Sequence, residues 1–332
     1  MSAPERTRPR ALSLLHLGLL ASLLLGTVAI IGSRPAGVSA QAATPVAADP
    51  ACQGAALVPV PDIPEALASP SNGTPAAVLG VDSATDAAIR NLVDSLAACL
   101  TAGDAQNVST LVTDRYLADA YGAGERMTRE DYLALAPYAP VVPVTIVSIG
   151  QIDFVSDETA EAQVVTVQGN QLRTEEWTFL FRRSRQAAAT PTAGAGEGRW
   201  LVHQIAVLPS TPPQGAAAMK ATQRDYSIQL SPAKITGGDL VVTVQNTGKE
   251  THEFLALKLD AGASIDQLIR PTSDAFPSTM HVIGQETIPA SETRTLVFVD
   301  LAPGTYTVVC LLPDEDGVPH LALGETATFT VS

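Results

Sequence analysis

The sequence predicts an α+β domain followed by an all-β sandwich. Apolar residues recur at helical spacing between residues 83 and 135, and they alternate with polar residues at strand spacing from about residue 143 to residue 208. After residue 218 strand patterns continue without a convincing long helix. The predicted segments are an export segment (1–40), a tether (41–82), the α+β domain (83–208), a linker (209–225) and the β-domain (226–332).

The first 40 residues have the pattern of a secretory signal. Three arginines precede an uncharged stretch, residues 11–32, and small residues precede Gln41. About 20 apolar residues can also span a bilayer, so the segment is either a cleaved signal peptide or a retained membrane anchor. Both alternatives place the rest of the chain outside the cytoplasm, so we expect a secreted or extracytoplasmic protein.

The formal net charge is -14 at pH 7. A surface with this excess of acidic groups repels phosphate backbones, which excludes nucleic acid as a natural partner. Residues 41–82 are rich in Ala and Pro and show neither a helical nor a strand period, so we interpret them as a mostly disordered tether.

Three cysteines in an exported chain are an odd number. Cys52 and Cys99 could form a disulfide, which would stabilise the fold by about 4 kcal/mol from chain entropy. Cys310 would then be left over. A free thiol outside the cytoplasm is either buried as a small hydrophobic group or held by a metal ion.

Three helices are predicted at the start of the α+β domain. The first begins at Ser83, with Asp86 in a capping box, and ends at Gly103. The second begins near Asp104, and Thr128 with Asp131 caps the third.

Four antiparallel strands are predicted to follow the helices, near residues 143–155, 160–168, 172–182 and 199–208. Gly169 and Asn170 form a tight turn between the second and third of these strands. Residues 185–198 have the composition of a flexible hairpin loop.

This order of elements, the residues Ala102, Gly103 and Asp104 after the first helix, and the final strand at 198–205 resemble the nuclear transport factor 2-like superfamily, which includes SnoaL-like proteins and ketosteroid isomerase. The resemblance covers about residues 83–208. It implies a cone-shaped α+β fold whose interior can hold a small apolar ligand, and it includes both enzymes and scaffolds.

The residues that could face such a cone have no catalytic spacing, so we expect no catalytic residue and a protein that is not an enzyme. His203 shares a strand face with apolar residues and fits a satisfied wall histidine better than a general base. The candidates for the interior are Asp114, Tyr116, Tyr132, Glu176 and His203.

Six strands are predicted in the C-terminal domain, which suits a Greek-key sandwich. Their ranges are 226–230, 239–246, 253–258, 293–299, 304–310 and 326–331. His252, Cys310 and His320 fall at the ends of these strands, and two imidazoles with one thiolate are ligands that suit copper. Met280 and His281 fall in a segment without strand alternation.

The turn 246–248 before His252, the strand 301–310 that leads to Cys310, and Pro319 with His320 resemble the blue-copper family, the cupredoxins. The resemblance implies one copper ion held by His252, Cys310 and His320.

Two features depart from that family. Glu325 occupies the position of the usual methionine and would be a weak axial ligand, and the loop between Cys310 and His320 is longer than in familiar members. The alternation also places His252 on the face opposite Leu255 and Leu257. The alternative is a metal-free sandwich in which Cys310 belongs to the core, His320 to a solvated loop and His252 to a turn.

The sequence therefore favours an exported copper-binding protein that transfers electrons or handles copper, with a redox or copper-exchange protein as partner. Residues 11–32 would tether it to the membrane if they are retained. One alternative is a metal-free binding or scaffold protein at the cell surface. Another is a small-molecule enzyme that uses the cone-shaped domain.

Overall fold

The structure is a computed structural model that describes residues 51–59, 61, 79–122, 126–184, 197–270 and 275–332. The predicted export segment, most of the predicted tether and residues 185–196 of the predicted hairpin loop lie outside the described residues. Within the described ranges, no helix has both the length and the apolar character needed to cross a membrane.

The described N-terminal part contains helices α1 to α4 and a short 3-10 turn. They span Ser83–Ala102 (α1), Ala105–Leu111 (α2), Asp114–Ala120 (α3), Arg129–Leu135 (α4) and Ala136–Tyr138 (the 3-10 turn). Gly103 ends α1 with φ of 67°, and the predicted capping box of Thr128 and Asp131 is present at α4. The N-cap of α1 is Asp82 and not Ser83, because its carboxylate accepts the backbone N–H groups of Ala84 and Thr85 at 2.9 Å.

Helix α3 is an addition to the three helices expected from the sequence. Asp114 and Tyr116, two of the candidates for the cone interior, lie in its first turn. Thr113 has extended backbone and caps the new helix, so the chain turns between α2 and α3. Tyr116 is buried beneath the helix while Asp114 is exposed.

An antiparallel sheet packs against these helices. Its strands are Val58–Pro59 (β1), Leu79–Gly80 (β2), Val144–Phe154 (β3), Thr159–Gln168 (β4), Gln171–Arg183 (β5) and Glu197–Leu208 (β6). Their order is β2-β3-β4-β5-β6-β1. The two shortest strands correct the expectation that residues 41–82 contain no strand. The cone shape and the relationship to nuclear transport factor 2-like proteins stay predictions.

The described part of the chain contains one disulfide, between Cys52 and Cys99, and one free cysteine, Cys310, which is buried. Cys99 is buried in the last turns of α1, so the disulfide ties the segment before β1 to the helical layer.

Nine strands and one short helix build the described C-terminal part. They are Ala217–Arg224 (β7), Ser227–Ser231 (β8), Lys234–Ile235 (β9), Leu240–Asn246 (β10), His252–Leu259 (β11), Asp266–Ile269 (α5), Met280–Ile288 (β12), Thr293–Phe298 (β13), Gly304–Val309 (β14) and Thr326–Val331 (β15). One layer has the order β13-β10-β7-β8 and the other β12-β11-β14-β15-β9. A buried apolar cluster that includes Val242, Phe254 and Phe329 contains residues from both layers.

Three strands of the described C-terminal part lie where none was predicted: β7, the two-residue β9, and β12. β7 occupies half of the predicted linker 209–225 and pairs in parallel with β10. Its alternate residues Met219, Ala221 and Gln223 are buried. β12 begins at Met280, so this residue and His281 belong to a strand and not to an irregular segment.

The two parts share a continuous sheet, because the start of β5 also pairs with β13. Leu172 lies opposite Val297 and Gln171 opposite Phe298. The predicted turn at Gly169 and Asn170 is present between β4 and β5, and it forms this junction. The Asn170 side-chain amide donates to the carbonyl oxygens of Val299 at 2.9 Å and Asp300 at 3.3 Å.

We expect Asn170→Ala to weaken this junction. Two side-chain hydrogen bonds are lost, which should lower the free energy of unfolding by about 1–2 kcal/mol. Calorimetry would measure the loss and would show whether the single thermal transition splits into two. Asn91→Ala, at an exposed position on α1, is the control and should have little effect. Equal stability of the two variants would mean that the Asn170 bonds do not support the junction.

Candidate metal centre

Four potential ligands meet where three paired strands begin or end. His252 opens β11, Cys310 directly follows β14, and Glu325 directly precedes β15. β14 pairs with β11 on one side and with β15 on the other. His320 opens a 3-10 turn, His320–Leu323, that leads into β15. The sheet register therefore fixes the backbone at His252, Cys310 and Glu325, and the 3-10 turn holds His320 beside them.

The side chains converge on one buried point. The Oε2 atom of Glu325 lies 2.8 Å from Nδ1 of His252 and 2.9 Å from Nδ1 of His320. The Cys310 sulfur lies 3.4 Å from the same His320 nitrogen. All four ligand atoms are within 4.8 Å of one another, and no side chain of the group is more than 1% exposed.

His252 lies on the face of β11 opposite Leu255 and Leu257, but this position does not exclude it from a buried site. His252 shares its strand face with Phe254 and Ala256, which belong to the core between the two sheet layers. Leu255 and Leu257 face the other way into a second buried cluster. Both faces of β11 are buried, so the leucines do not place the histidine on an outer surface.

The long loop between Cys310 and His320 is held by hydrogen bonds. The backbone N–H of His320 donates to the carbonyl of Leu312 at 2.9 Å, and that of Leu321 donates to the carbonyl of Cys310 at 2.8 Å. At the tip, the Asp314 carboxylate accepts the N–H of Val318 at 2.8 Å. His320 is therefore fixed by its backbone despite the length of the loop.

Carboxylates also face the outer nitrogens of both histidines. Oδ1 of Asp225 lies 3.5 Å from Nε2 of His252, and Oε2 of Glu250 lies 2.9 Å from Nε2 of His320. The second pair is close but misaligned, since neither atom makes a hydrogen bond to a described residue. Gly248 permits the approach of Asp225 to His252, because a Cβ atom at position 248 would collide with the Asp225 carboxylate.

Two more buried polar groups hold Glu325 and Cys310. The Gln223 amide donates to Oε1 of Glu325 at 3.2 Å, and the backbone N–H of Glu253 donates to the Cys310 sulfur at 3.2 Å. Burial, followed by the charge of Glu325, raises the pKa of the Glu253 carboxyl to about 8. These contacts orient the ligands from behind, as outer partners commonly do in metal sites.

The electrostatics of the metal-free cluster favour the protonated forms of Cys310 and His252. Burial raises the pKa of the Cys310 thiol far above its usual range, and the Glu325 and Glu253 carboxylates add to that effect. For His252, burial opposes the charged form, but Glu325 and Asp225 outweigh it and raise its pKa. A metal ion must therefore displace protons when it binds.

Sequence reasoning missed Asp225, Glu250, Glu253 and Gln223. Asp225 and Gln223 were assigned to a linker, although the alternation in residues 217–224 marks a strand. Glu250 and Glu253 flank His252 in the sequence, which was the available signal for them. His281 does not join the group, since it is exposed and pairs with Asp260 at 2.9 Å.

The candidates in the N-terminal part separate into two sets. Tyr116 and Tyr132 line a cavity of about 580 Å³, and Asp114, Glu176 and His203 do not. Asp114 and Glu176 are exposed. The His203 ring nitrogen Nδ1 lies 3.0 Å from the Thr113 hydroxyl, which agrees with a satisfied wall histidine.

His203 should make stability fall in weak acid. Burial lowers the pKa of His203 from its usual 6.5, and the positive charges of Arg182 and Arg115 add to this effect. The unfolded chain then binds a proton first, so stability present above pH 6.5 is lost as the pH falls toward the folded-state pKa. When the pH is lowered from about 8 to about 5, the free energy of unfolding should fall less in His203→Gln than in the wild type. Chemical denaturation at each pH measures this difference. Parallel losses would contradict this assignment.

The four residues fit a metal ion. Donors bound at about 2.0–2.3 Å to one ion lie within about 4.6 Å of one another, close to the separations seen here. The outer nitrogens of His252 and His320 are buried without a hydrogen-bond partner among the described residues. When Nδ1 binds a metal, Nε2 carries the proton and can donate it to a neighbouring carboxylate. Asp225 and Glu250 stand at those positions.

These observations define the class of the C-terminal part: a two-layer β-sandwich with a buried His, Cys, His and Glu cluster at one end. No protein-family model matches the sequence, and no curated protein sequence matches it.

Solved structures of copper proteins overlap part of the chain. Dithionite-reduced auracyanin from Roseiflexus castenholzii is 20% identical over 36% of this chain and 99% of its own, with a TM-score of 0.26. Auracyanin A, a "blue" copper protein from Chloroflexus aurantiacus, is 16% identical over 36% of this chain and 100% of its own, with a TM-score of 0.26. A multicopper oxidase from Campylobacter jejuni is 10% identical over 57% of this chain and 48% of its own, with a TM-score of 0.23. At such scores the class rests on the sheets and the ligand cluster of this chain.

Proposed function

We propose that this is an exported cupredoxin-like protein that binds one copper ion through His252, Cys310 and His320, with Glu325 as the fourth ligand. The convergence of these four buried side chains at one end of the sandwich carries the proposal. Two imidazoles and a thiolate suit copper better than hard cations, which prefer oxygen ligands.

A bound copper ion would supply one-electron chemistry at this point. The chain itself holds the ligands near the ends of strands and excludes water from the site. Cys310 would bind the ion as a thiolate, after losing its proton. Because all four side chains are buried, exchange of the metal with a partner requires local opening, whereas electron transfer does not. The burial therefore favours electron transfer with a redox protein over rapid copper exchange.

The charges around the site favour the divalent ion. A Cys310 thiolate and the Glu325 carboxylate balance two positive charges, and the Asp225 and Glu250 carboxylates stand behind the histidines. Reduction of Cu(II) to Cu(I) would remove one positive charge from the ion. The buried cluster would then carry an excess of negative charge, which is unfavourable at low dielectric. We therefore infer a resting Cu(II) site with a low reduction potential.

Export, the membrane tether through residues 11–32 and the redox or copper-exchange partner belong to the same proposal. The signal pattern supports export. The contact between the Cys310 sulfur and the His320 ring supports a metal ligand, because a cysteine that serves only as a small hydrophobic group needs no such partner. A metal-free scaffold at the cell surface remains the competing function.

Copper titration of the reduced protein tests the site. We expect one copper per chain and an intense visible band from the bond between the thiolate and copper. Both should be lost in Cys310→Ser. His252→Ala should weaken binding at least about tenfold, because losing only an outer partner of a metal ligand commonly has an effect of about that size. Absorption spectra and bound-metal analysis measure these effects.

His281→Ala is the matched control, since it removes a histidine of the same sandwich outside the cluster, and it should bind like the wild type. Copper binding that survives in Cys310→Ser, or no binding by the wild type, would favour the metal-free scaffold.

The preference for the divalent ion has its own test. Glu325→Gln and Glu250→Gln keep the side-chain shape but remove a negative charge near the ion. Each should raise the Cu(II)/Cu(I) potential by roughly 60 mV or more, which is a tenfold change in the redox equilibrium for one electron. Redox titration followed by the visible band measures the shift. Glu292→Gln, at an exposed carboxylate paired with Arg294, should leave the potential unchanged. Equal potentials in all variants would show that the carboxylates do not set it.

A further inference from the structure

A cavity of about 580 Å³ lies between the two parts of the molecule. Its walls come from the helices of the N-terminal part, from the paired ends of β5 and β6, and from β12 of the sandwich. None of the four residues of the metal cluster lines it. The wall from β12 includes Glu286 and Thr287, which lie opposite Phe254 and Glu253 of β11. The cavity is therefore a separate site that exists only when both parts are joined.

One wall presents a pre-oriented guanidinium group. The Glu175 carboxylate is buried and accepts the indole N–H of Trp177 at 3.0 Å and the amide of Gln168 at 3.2 Å. It also accepts Nε–H of Arg173 at 3.0 Å, which fixes the arginine. No hydrogen bond joins the terminal nitrogens of Arg173 to a described residue. Arg173 thus offers free donors to the cavity that it lines.

The charge balance indicates a neutral ligand. Glu175 already balances Arg173, and Glu286 from the opposite wall lies within electrostatic range of the same arginine. Burial raises the pKa of Glu286, although Arg173 and Arg294 oppose the shift. An added anion would increase the negative charge inside the cavity by one, whereas a neutral oxygen acceptor would not change it.

Another wall is aromatic and apolar. Tyr116, Tyr121 and Tyr132 line the cavity, and the rings of the last two lie 4.9 Å apart between centroids. Leu100 and Ile205 extend the apolar surface. Such a wall suits a flat ring system, because aromatic faces contact other rings over a large area at little entropic cost.

We propose that this cavity binds a neutral ring compound with a carbonyl oxygen, which accepts hydrogen bonds from Arg173 while the ring packs among the tyrosines. The site needs no copper, and its ligand is held by both parts of the chain.

Three naphthalenes of similar size test the chemistry by calorimetric titration of the purified protein. 2-Acetylnaphthalene carries a carbonyl oxygen, 2-ethylnaphthalene lacks it, and 2-naphthoate carries a negative charge. We expect 2-acetylnaphthalene to bind about tenfold more tightly than each of the others, because a hydrogen bond from a charged donor has about that effect on affinity. Arg173→Gln should remove the preference for the ketone over the hydrocarbon.

Val207→Trp tests the location without removing a buried group. Val207 borders the cavity and is 51% exposed, so a large side chain there should block it and reduce ketone binding at least about tenfold. Val147→Trp, at a 56% exposed position outside the cavity wall, should bind like the wild type. No binding of the ketone, equal or tighter binding of 2-naphthoate, or equal binding by the two tryptophan variants would overturn the proposal.

Discussion

The pairing of β14 with β11 on one side and β15 on the other is the constraint on which the site depends. The register places Val309 opposite both Leu255 and Thr326. Cys310 and Glu325 adjoin this pair of strands, and His252 lies at the start of β11, so the three are brought to one end of the layer although they lie up to 73 positions apart in the sequence. A shift of one residue would reverse the facing of every side chain on the strand, so the hydrophobic core that sets the register also sets the ligand group.

A second pairing, between β5 and β13, joins the sandwich to the N-terminal sheet. Two glycines make room for it. A Cβ atom on Gly169 would lie 2.6 Å from the carbonyl oxygen of Val282, and one on Gly284 would lie 2.9 Å from the Gln171 side chain. The close packing, together with the side-chain bonds of Asn170, holds β12 against the N-terminal part. The cavity wall on β12 and the strand β11, which carries His252, are thus neighbours in one framework.

The sequence was sufficient for local features and insufficient for distant ones. The caps at Gly103 and Thr128, the turn at Gly169, and the positions of His252 and Cys310 at strand ends follow from short-range patterns. His320 was expected at a strand end as well, whereas it opens a 3-10 turn before β15. The contact between Asp225 and His252 joins residues far apart in the sequence. The spacing of apolar residues predicts helices and strands but does not predict such a contact. β12 has no clean alternation because its register with β11 shifts near Ala256.

The metal-free cluster holds more acidic groups than its hydrogen bonds can satisfy. One oxygen of Glu325 faces two imidazole nitrogens, and the outer nitrogens face two further carboxylates. If each imidazole carries one proton, it can satisfy the inner or the outer carboxylate but not both. A metal ion at the inner nitrogens removes this conflict, because it takes the lone pairs and leaves the outer N–H groups to Asp225 and Glu250. Buried groups without partners normally destabilise a fold, so their arrangement around a common point supports the proposed metal site.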